Sequence, residues 1–157
     1  GLEAEARGQG EAIARNLFEM SQLSVPIVAV ITGEGNSGGA LALGVADTVL
    51  MLENAVYSIL SPEGFASILW KDSSRSGEAC DLMKLTAEDL LEQKVIDAII
   101  PEPEGGAHMD VEAQMAAVDQ ALTAALNSLQ KISDISIAGQ RYKKFRAMGG
   151  NGYYDGN

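Results

Sequence analysis

The apolar run VPIVAVIT, residues 25–32, passes straight into the glycine-rich GEGNSGG, residues 33–39, and then into ALALGVA. That order leaves the backbone few options. A β-rich run without polar alternation, Ile27 to Thr32, predicts a strand buried on both faces. The glycines predict a sharp turn, and the small residues from Ser37 to Val45 predict a short helix packed very closely against something.

As written, GEGNSGG satisfies GxGxxG through Gly33, Gly35 and Gly38, and Glu53 stands about where a dinucleotide fold places its ribose carboxylate. The same order also puts the free N–H groups of Gly38 and Gly39 at the positive end of a helix dipole. Without Cβ atoms a ligand oxygen approaches them closely. Electrostatics favours a phosphate and an oxyanion equally there, so local pattern leaves both readings open.

Around this unit, residues 3 to 22 read as one helix, with Ile13, Leu17 and Met20 on one face and Gly8 and Gly10 weakening its first half. Val49–Leu52 and Val56–Leu60 read as strands separated by a turn at Glu53 and Asn54. Helices are expected near Gly64–Trp70, Gly77–Met83 and Ala87–Gln93, the last capped by Thr86 with Asp89 in a near capping box. Val95–Ile100 is an apolar run ended by Pro101, PEPEGGAH is a loop, and amphipathic helices follow over 111–131 and 134–148. Arg141, Lys143, Lys144 and Arg146 read as a solvated helix end that favours cations. The tail from Gly149 reads as disordered, and no internal repeat is apparent.

Several chemistries lack the residues they need. His108 is the only histidine and Cys80 the only cysteine, so no Cys/His metal cluster or disulfide framework assembles within the chain. GNSGG departs from the GxSxG of a nucleophile elbow, and a serine hydrolase needs His108 to reach Ser37, so Ser37 reads as a helix N-cap. Glu34 and Glu63 lie in turns and read as solvated. A net charge of −11 repels phosphodiester backbones and anionic membrane surfaces. The longest apolar stretch is far short of a membrane span and a lone cysteine suits a reducing compartment, so a cytoplasmic protein is expected. With 157 residues and 46% hydrophobic content, one core is expected. A start without methionine or leading strand reads as the interior of a longer domain.

Longer segments carry a resemblance. LEAEARGQGEAIARNL, VPIVAVITGEGNSGGALALGVAD, YSILSPEGFASILWKD and MKLTAEDLLEQKVIDAIIPEPEGGAH, in that order, closely resemble the alpha subunits of bacterial-type acetyl-coenzyme A carboxylase carboxyltransferases. The match runs from Leu2 to about Met148. It implies an α/β crotonase (ClpP-like) fold, a spiral of ββα turns, here lacking its N-terminal strands and carrying C-terminal helices. Residues 1–148 would form the N-terminally incomplete domain and 149–157 a flexible tail.

The resemblance further implies transfer of a carboxyl group from carboxybiotin, borne on a biotin carboxyl carrier protein, to acetyl-coenzyme A, giving malonyl-coenzyme A. It implies a beta subunit, usually bearing a zinc ribbon, an alpha2beta2 assembly, no metal in this chain, and neither membrane nor nucleic acid as partner. On this reading the Gly38 and Gly39 amides form an oxyanion hole for charge developing on the biotin ureido oxygen. The released biotin anion serves as base, so no histidine or cysteine is needed. Gly35, Ser37, Gly64 and Phe65 are the expected substrate-binding residues. Phe65, Ile68, Leu69 and Trp70 are equally explained as core or subunit interface, the interface being favoured. The rivals are a propionyl-coenzyme A type carboxyltransferase, a hydratase of the same fold, and a dinucleotide-binding module.

Overall fold

A computed structural model describes residues 2–148 of the chain; the expected tail, 149–157, lies outside the described residues. The expected first helix is two: α1 (Leu2–Ala6) and α2 (Gln9–Gln22), divided where Gly8 takes φ +83°. A left-handed residue cannot continue a right-handed helix, so the glycine ends one and starts the other.

The chain then runs through β1 (Val28–Ile31), β2 (Glu34–Asn36), α3 (Ser37–Gly44), β3 (Thr48–Leu52), β4 (Val56–Ser58) and α4 (Pro62–Trp70). A 3-10 turn at Ser73–Arg75, then α5 (Ser76–Met83), α6 (Ala87–Glu92), β5 (Ala98–Ile100), α7 (Val111–Leu129) and α8 (Asp134–Ala147) complete it. Within the glycine turn, β2 is a strand the sequence reading did not anticipate, since three residues are too few to show a period. α4 is capped by the Ser61 hydroxyl accepting from the Gly64 amide at 3.2 Å, and α7 by Asp110 accepting from Ala113 at 3.0 Å. Thr86 caps α6 as expected, but its hydroxyl also donates to the Asp89 carboxylate at 2.8 Å, so the reciprocal bond of a capping box is not formed.

Two parallel sheets organise the chain. One has the order β1-β3-β5, in the register Val28 to Thr48 and Leu50 to Ala98; the other pairs β2 with β4, setting Gly35 against Tyr57. A long strand, a short strand in the second sheet and a helix thus recur as a unit, each crossover supplying the connection parallel strands require. The core gathers on β3, whose Val49, Leu50, Met51 and Leu52 are buried with Ala87, Leu90, Ile96 and Ile100. The two-sided burial expected of β1 belongs instead to β3. β1 is half-buried because it stands at the sheet edge among the described residues.

A repeat is also present after all. The Ile27 amide donates to the Asp47 carboxylate at 2.8 Å while the Asp47 amide donates to the Ile27 carbonyl at 2.9 Å. One unit on, Val49 donates to the Asp97 carboxylate at 2.7 Å and Asp97 returns a bond to the Val49 carbonyl at 2.8 Å. VADTV and VIDAI encode the same device. An aspartate that opens one strand clasps the start of the strand before it.

Those clasps overturn the reading of the late basic residues. Arg141 is only 2% exposed, forks onto Asp47 at 3.0 and 2.8 Å, and donates to the carbonyls of Met20, Leu23 and Val25. Lys144 donates to the Asp97 carboxylate and, at 3.1 Å, to the Asp47 carbonyl. Of the four, Lys143 and Arg146 remain where a solvated helix end would put them.

Candidate functional site

Two clefts of the chain flank the N-terminus of α3. Asn36 occupies the N-cap position, not Ser37, and its side chain makes no capping bond, its amide oxygen accepting instead from the Ser58 hydroxyl at 2.7 Å. Ser37 is the first helical residue and holds φ +56°. A serine in the left-handed region carries strain of about 1–3 kcal/mol, and it is the conformation that turns β2 into α3. The amides of Gly38 and Gly39 follow in the first turn, where no intrahelical carbonyl reaches them. Among the described residues no side chain caps them. Two N–H groups at the positive end of a helix are therefore free to meet an anionic oxygen.

The two glycines stand in different surroundings. A Cβ on Gly38 would lie 3.4 Å from the Ile13 side chain of α2, an ordinary contact, whereas a Cβ on Gly39 would meet nothing within 4 Å. Packing within the described chain explains the smallness of neither, and at Gly39 it has no claim at all.

A cleft opens on each side of this turn. One, of about 370 Å3, is lined by Ser37, Leu41, Tyr57, Ile59, Phe65 and Leu82 among others. The other, of about 480 Å3, is lined by Gly35, Asn36, Gly39, Leu43, Gly44 and Tyr57 among others. Tyr57 borders both, and burial raises its phenol above the ordinary tyrosine value. A Cβ on Gly44 would stand 2.8 Å from the Tyr57 hydroxyl, so this glycine makes room for the ring.

The expected binding residues separate accordingly. Ser37 and Phe65 share one cleft, Gly35 and Gly39 the other. Gly35 is tightly fitted, a Cβ there approaching Tyr57 at 3.2 Å, whereas Gly64 lines neither cleft and its amide is engaged by the Ser61 cap. Phe65 meets Trp70 edge to face at 6.2 Å, and Trp70 carries the Arg75 guanidinium at 4.0 Å, itself forked onto Glu78. Ile68 and Leu69 turn outward, 67% and 56% exposed.

The structure does not bring the residues of the rival chemistries together. His108 is exposed and lines clefts with Thr32, Asn54 and Glu102 or with Gln114 and Met115, none of which contains Ser37. Glu53 accepts from the Glu102 amide at 3.1 Å and is thereby bound into the strand ends. Glu34 and Glu63 are exposed, as expected. Tyr57 is the wall residue that sequence reasoning missed, because its place beside the turn comes from pairing with Gly35 in β2, a strand too short to show a period.

Parallel ββα units around a glycine turn, with an uncapped helix behind it, define the crotonase fold class. A Pseudomonas malonate decarboxylase hetero-tetramer solved with coenzyme A matches with a TM-score of 0.71, 18% identity, and coverage of 94% of this chain and 60% of that one. An enoyl-CoA hydratase from Mycobacterium avium subsp. paratuberculosis K-10 matches with a TM-score of 0.52, 21% identity, and coverage of 87% and 55%.

The chain belongs to the acetyl co-enzyme A carboxylase carboxyltransferase-like family, whose model matches residues 1–149. It is 57% identical over 149 residues to the acetyl-coenzyme A carboxylase carboxyl transferase subunit alpha of Clostridium botulinum (strain Eklund 17B / Type B), covering 95% of this chain and 54% of that relative. The chain spans about half the length of the curated relatives it matches.

Proposed function

We propose that this chain is the part of a carboxyltransferase alpha subunit that faces carboxybiotin during formation of malonyl-coenzyme A from acetyl-coenzyme A. The observation that carries the reading is the pair of uncapped amides at Gly38 and Gly39, beside a glycine whose missing side chain leaves open space. Family membership supplies the reaction class.

Carboxybiotin, presented by a biotin carboxyl carrier protein, brings the carboxyl group and the basic ureido function. The chain's own residues do the rest. Gly38 and Gly39 donate to the oxygen on which negative charge grows during transfer, and because the donors are already aimed they need little reorganisation. Ser37 fixes their direction through its left-handed backbone. Tyr57 and Phe65 give the flanking walls apolar area, which excludes water and strengthens those donors. No step calls on His108 or Cys80.

The same reading assigns a beta subunit that holds acetyl-coenzyme A, an alpha2beta2 assembly, and a role in fatty acid biosynthesis in the cytoplasm. The exposed Ile68 and Leu69 of α4 suit burial against that partner. No helix among the described residues is long and apolar enough to cross a membrane.

The test is carboxyl transfer from malonyl-coenzyme A to biotin by the full-length subunit with its beta partner. Gly39→Val places a branched side chain beside the oxyanion. Loss of one such donor costs on the order of 3 kcal/mol, so turnover should fall by roughly a hundredfold or more while circular dichroism shows a native fold. Normal turnover by folded Gly39→Val sinks the assignment. Preference for propionyl- over acetyl-coenzyme A in competition would move the enzyme to the neighbouring carboxylase type.

A further inference from the structure

The Gly38 and Gly39 amides are only as well aimed as α3 is well held, and α3 is a helix of two turns without an N-terminal side-chain cap. Its far end is also incomplete. The Ala46 amide, which a continuing helix would direct to the Ala42 carbonyl, donates instead to the Gly44 carbonyl at 2.9 Å. The Ala42 carbonyl is left without its helical partner.

Asn16 of α2 supplies the missing bond, its side-chain amide donating to the Ala42 carbonyl. The same nitrogen also donates to the Met20 sulfur, 3.1 Å away. A carbonyl only accepts, so the group facing Ala42 must be the NH2 and not the amide oxygen. One turn earlier on the same face of α2, Ile13 lies under Gly38. α2 therefore grips α3 at both ends, with an apolar contact beneath the proposed donors and a polar one at the opposite terminus.

We propose that Asn16 is a positioning residue: by tying the Ala42 carbonyl to α2 it sets the tilt of α3, and with it the direction of the Gly38 and Gly39 amides. The proposal rests on the oxyanion reading of those amides. It also explains why the position takes a neutral amide. An aspartate has the same shape but, when ionised, presents only acceptors to a carbonyl.

That difference provides the test, carried out on the full-length subunit with its beta partner. Asn16→Leu should lower kcat roughly ten- to a hundredfold, the scale expected of a small misplacement of catalytic groups, with KM for malonyl-coenzyme A unchanged. Asn16→Asp should recover relative to wild type as the pH is lowered, because its protonated carboxyl regains a donor for Ala42. The charges that bias that titration are carried by α2 and the elements packed against it: Glu11, Arg15 and Glu19 of α2 itself, Glu3, Glu5 and Arg7 of α1, and Arg141 of α8, which donates to the Met20 carbonyl; α3 contributes none. Arg141 is committed to Asp47 in both proteins, so the ratio of variant to wild type isolates residue 16.

A folded Asn16→Leu with a lowered Tm but wild-type kcat overturns the proposal, and so does an Asn16→Asp ratio that does not change with pH. Should Asn16→Leu fail to fold, the Asn16→Asp profile decides alone. Gly39→Val, assayed alongside, separates the two readings. If it is active, the oxyanion assignment falls; if it is inactive while the Asn16 variants keep full kcat, only the positioning role falls.

Discussion

Arg141 is a fully charged side chain held in the interior of the fold. Its side chain is 1% exposed and that of Asp47 is 4% exposed, so removing either leaves the other charge buried. Arg141→Leu should cost about 3–5 kcal/mol, read as a lowered urea midpoint, although the intact pair itself stabilises far less than that. The sequence reading placed Arg141 with its solvated neighbours because a helical run of basic residues does not reveal which one faces inward. The sign that was available lay elsewhere, in the matching aspartates of VADTV and VIDAI. The position of Gly38 and Gly39 at the start of a helix, by contrast, was legible, because strand, turn and helix start follow one another along the chain. Ser37 was half-legible: its place in the turn was plain, but its left-handed backbone was not, since a serine carries no side-chain signal for that region.

At the scale of elements, the meeting of α3 with β4 is decided by Gly44 and Tyr57. Gly44→Ala puts a methyl group 2.8 Å from the phenolic oxygen and should destabilise by roughly 1–3 kcal/mol. Tyr57→Phe removes that oxygen, so the double variant should recover part of the loss, a coupling that a double-mutant cycle in urea measures. Most helices and the long strands were readable from period and caps, which act over a few residues. β2 was not, because a strand of three residues is made by its partner, and the division of the first helix was not, because two weak helical residues do not announce which of them will reverse its φ. The edge position of β1 was likewise invisible, since burial depends on neighbours and a run of valine and isoleucine looks the same in the middle of a sheet as at its side.

The whole molecule is held at one end of its sheet by acids that accept from backbone. Glu102 takes bonds from the Asn54 side chain at 3.0 Å, the Asn54 amide at 3.1 Å and the Ala107 amide at 3.0 Å, and the Asn54 side-chain bond is the main cause of a carboxyl held below the ordinary glutamate value. A depressed acid contributes stability that is present above the unfolded value, about 4.3, and is lost as pH falls through the folded one. The advantage of wild type over Glu102→Gln should therefore be present at neutral pH and shrink on acidification below that range, as followed by thermal melts across pH. At the opposite end the Asp47 clasp has a different consequence. Its guanidinium partner lies 94 residues further along the chain. Closing a contact of such separation costs more loop entropy than closing a local one, which favours its forming after the elements between. During synthesis from the N-terminus, Asp47 emerges long before Arg141, and the carbonyls of Met20, Leu23 and Val25 wait with it. The fold is thus a purse whose drawstring is threaded last, and a chain halted before α8 would expose the start of its central sheet to whatever else offers a cation.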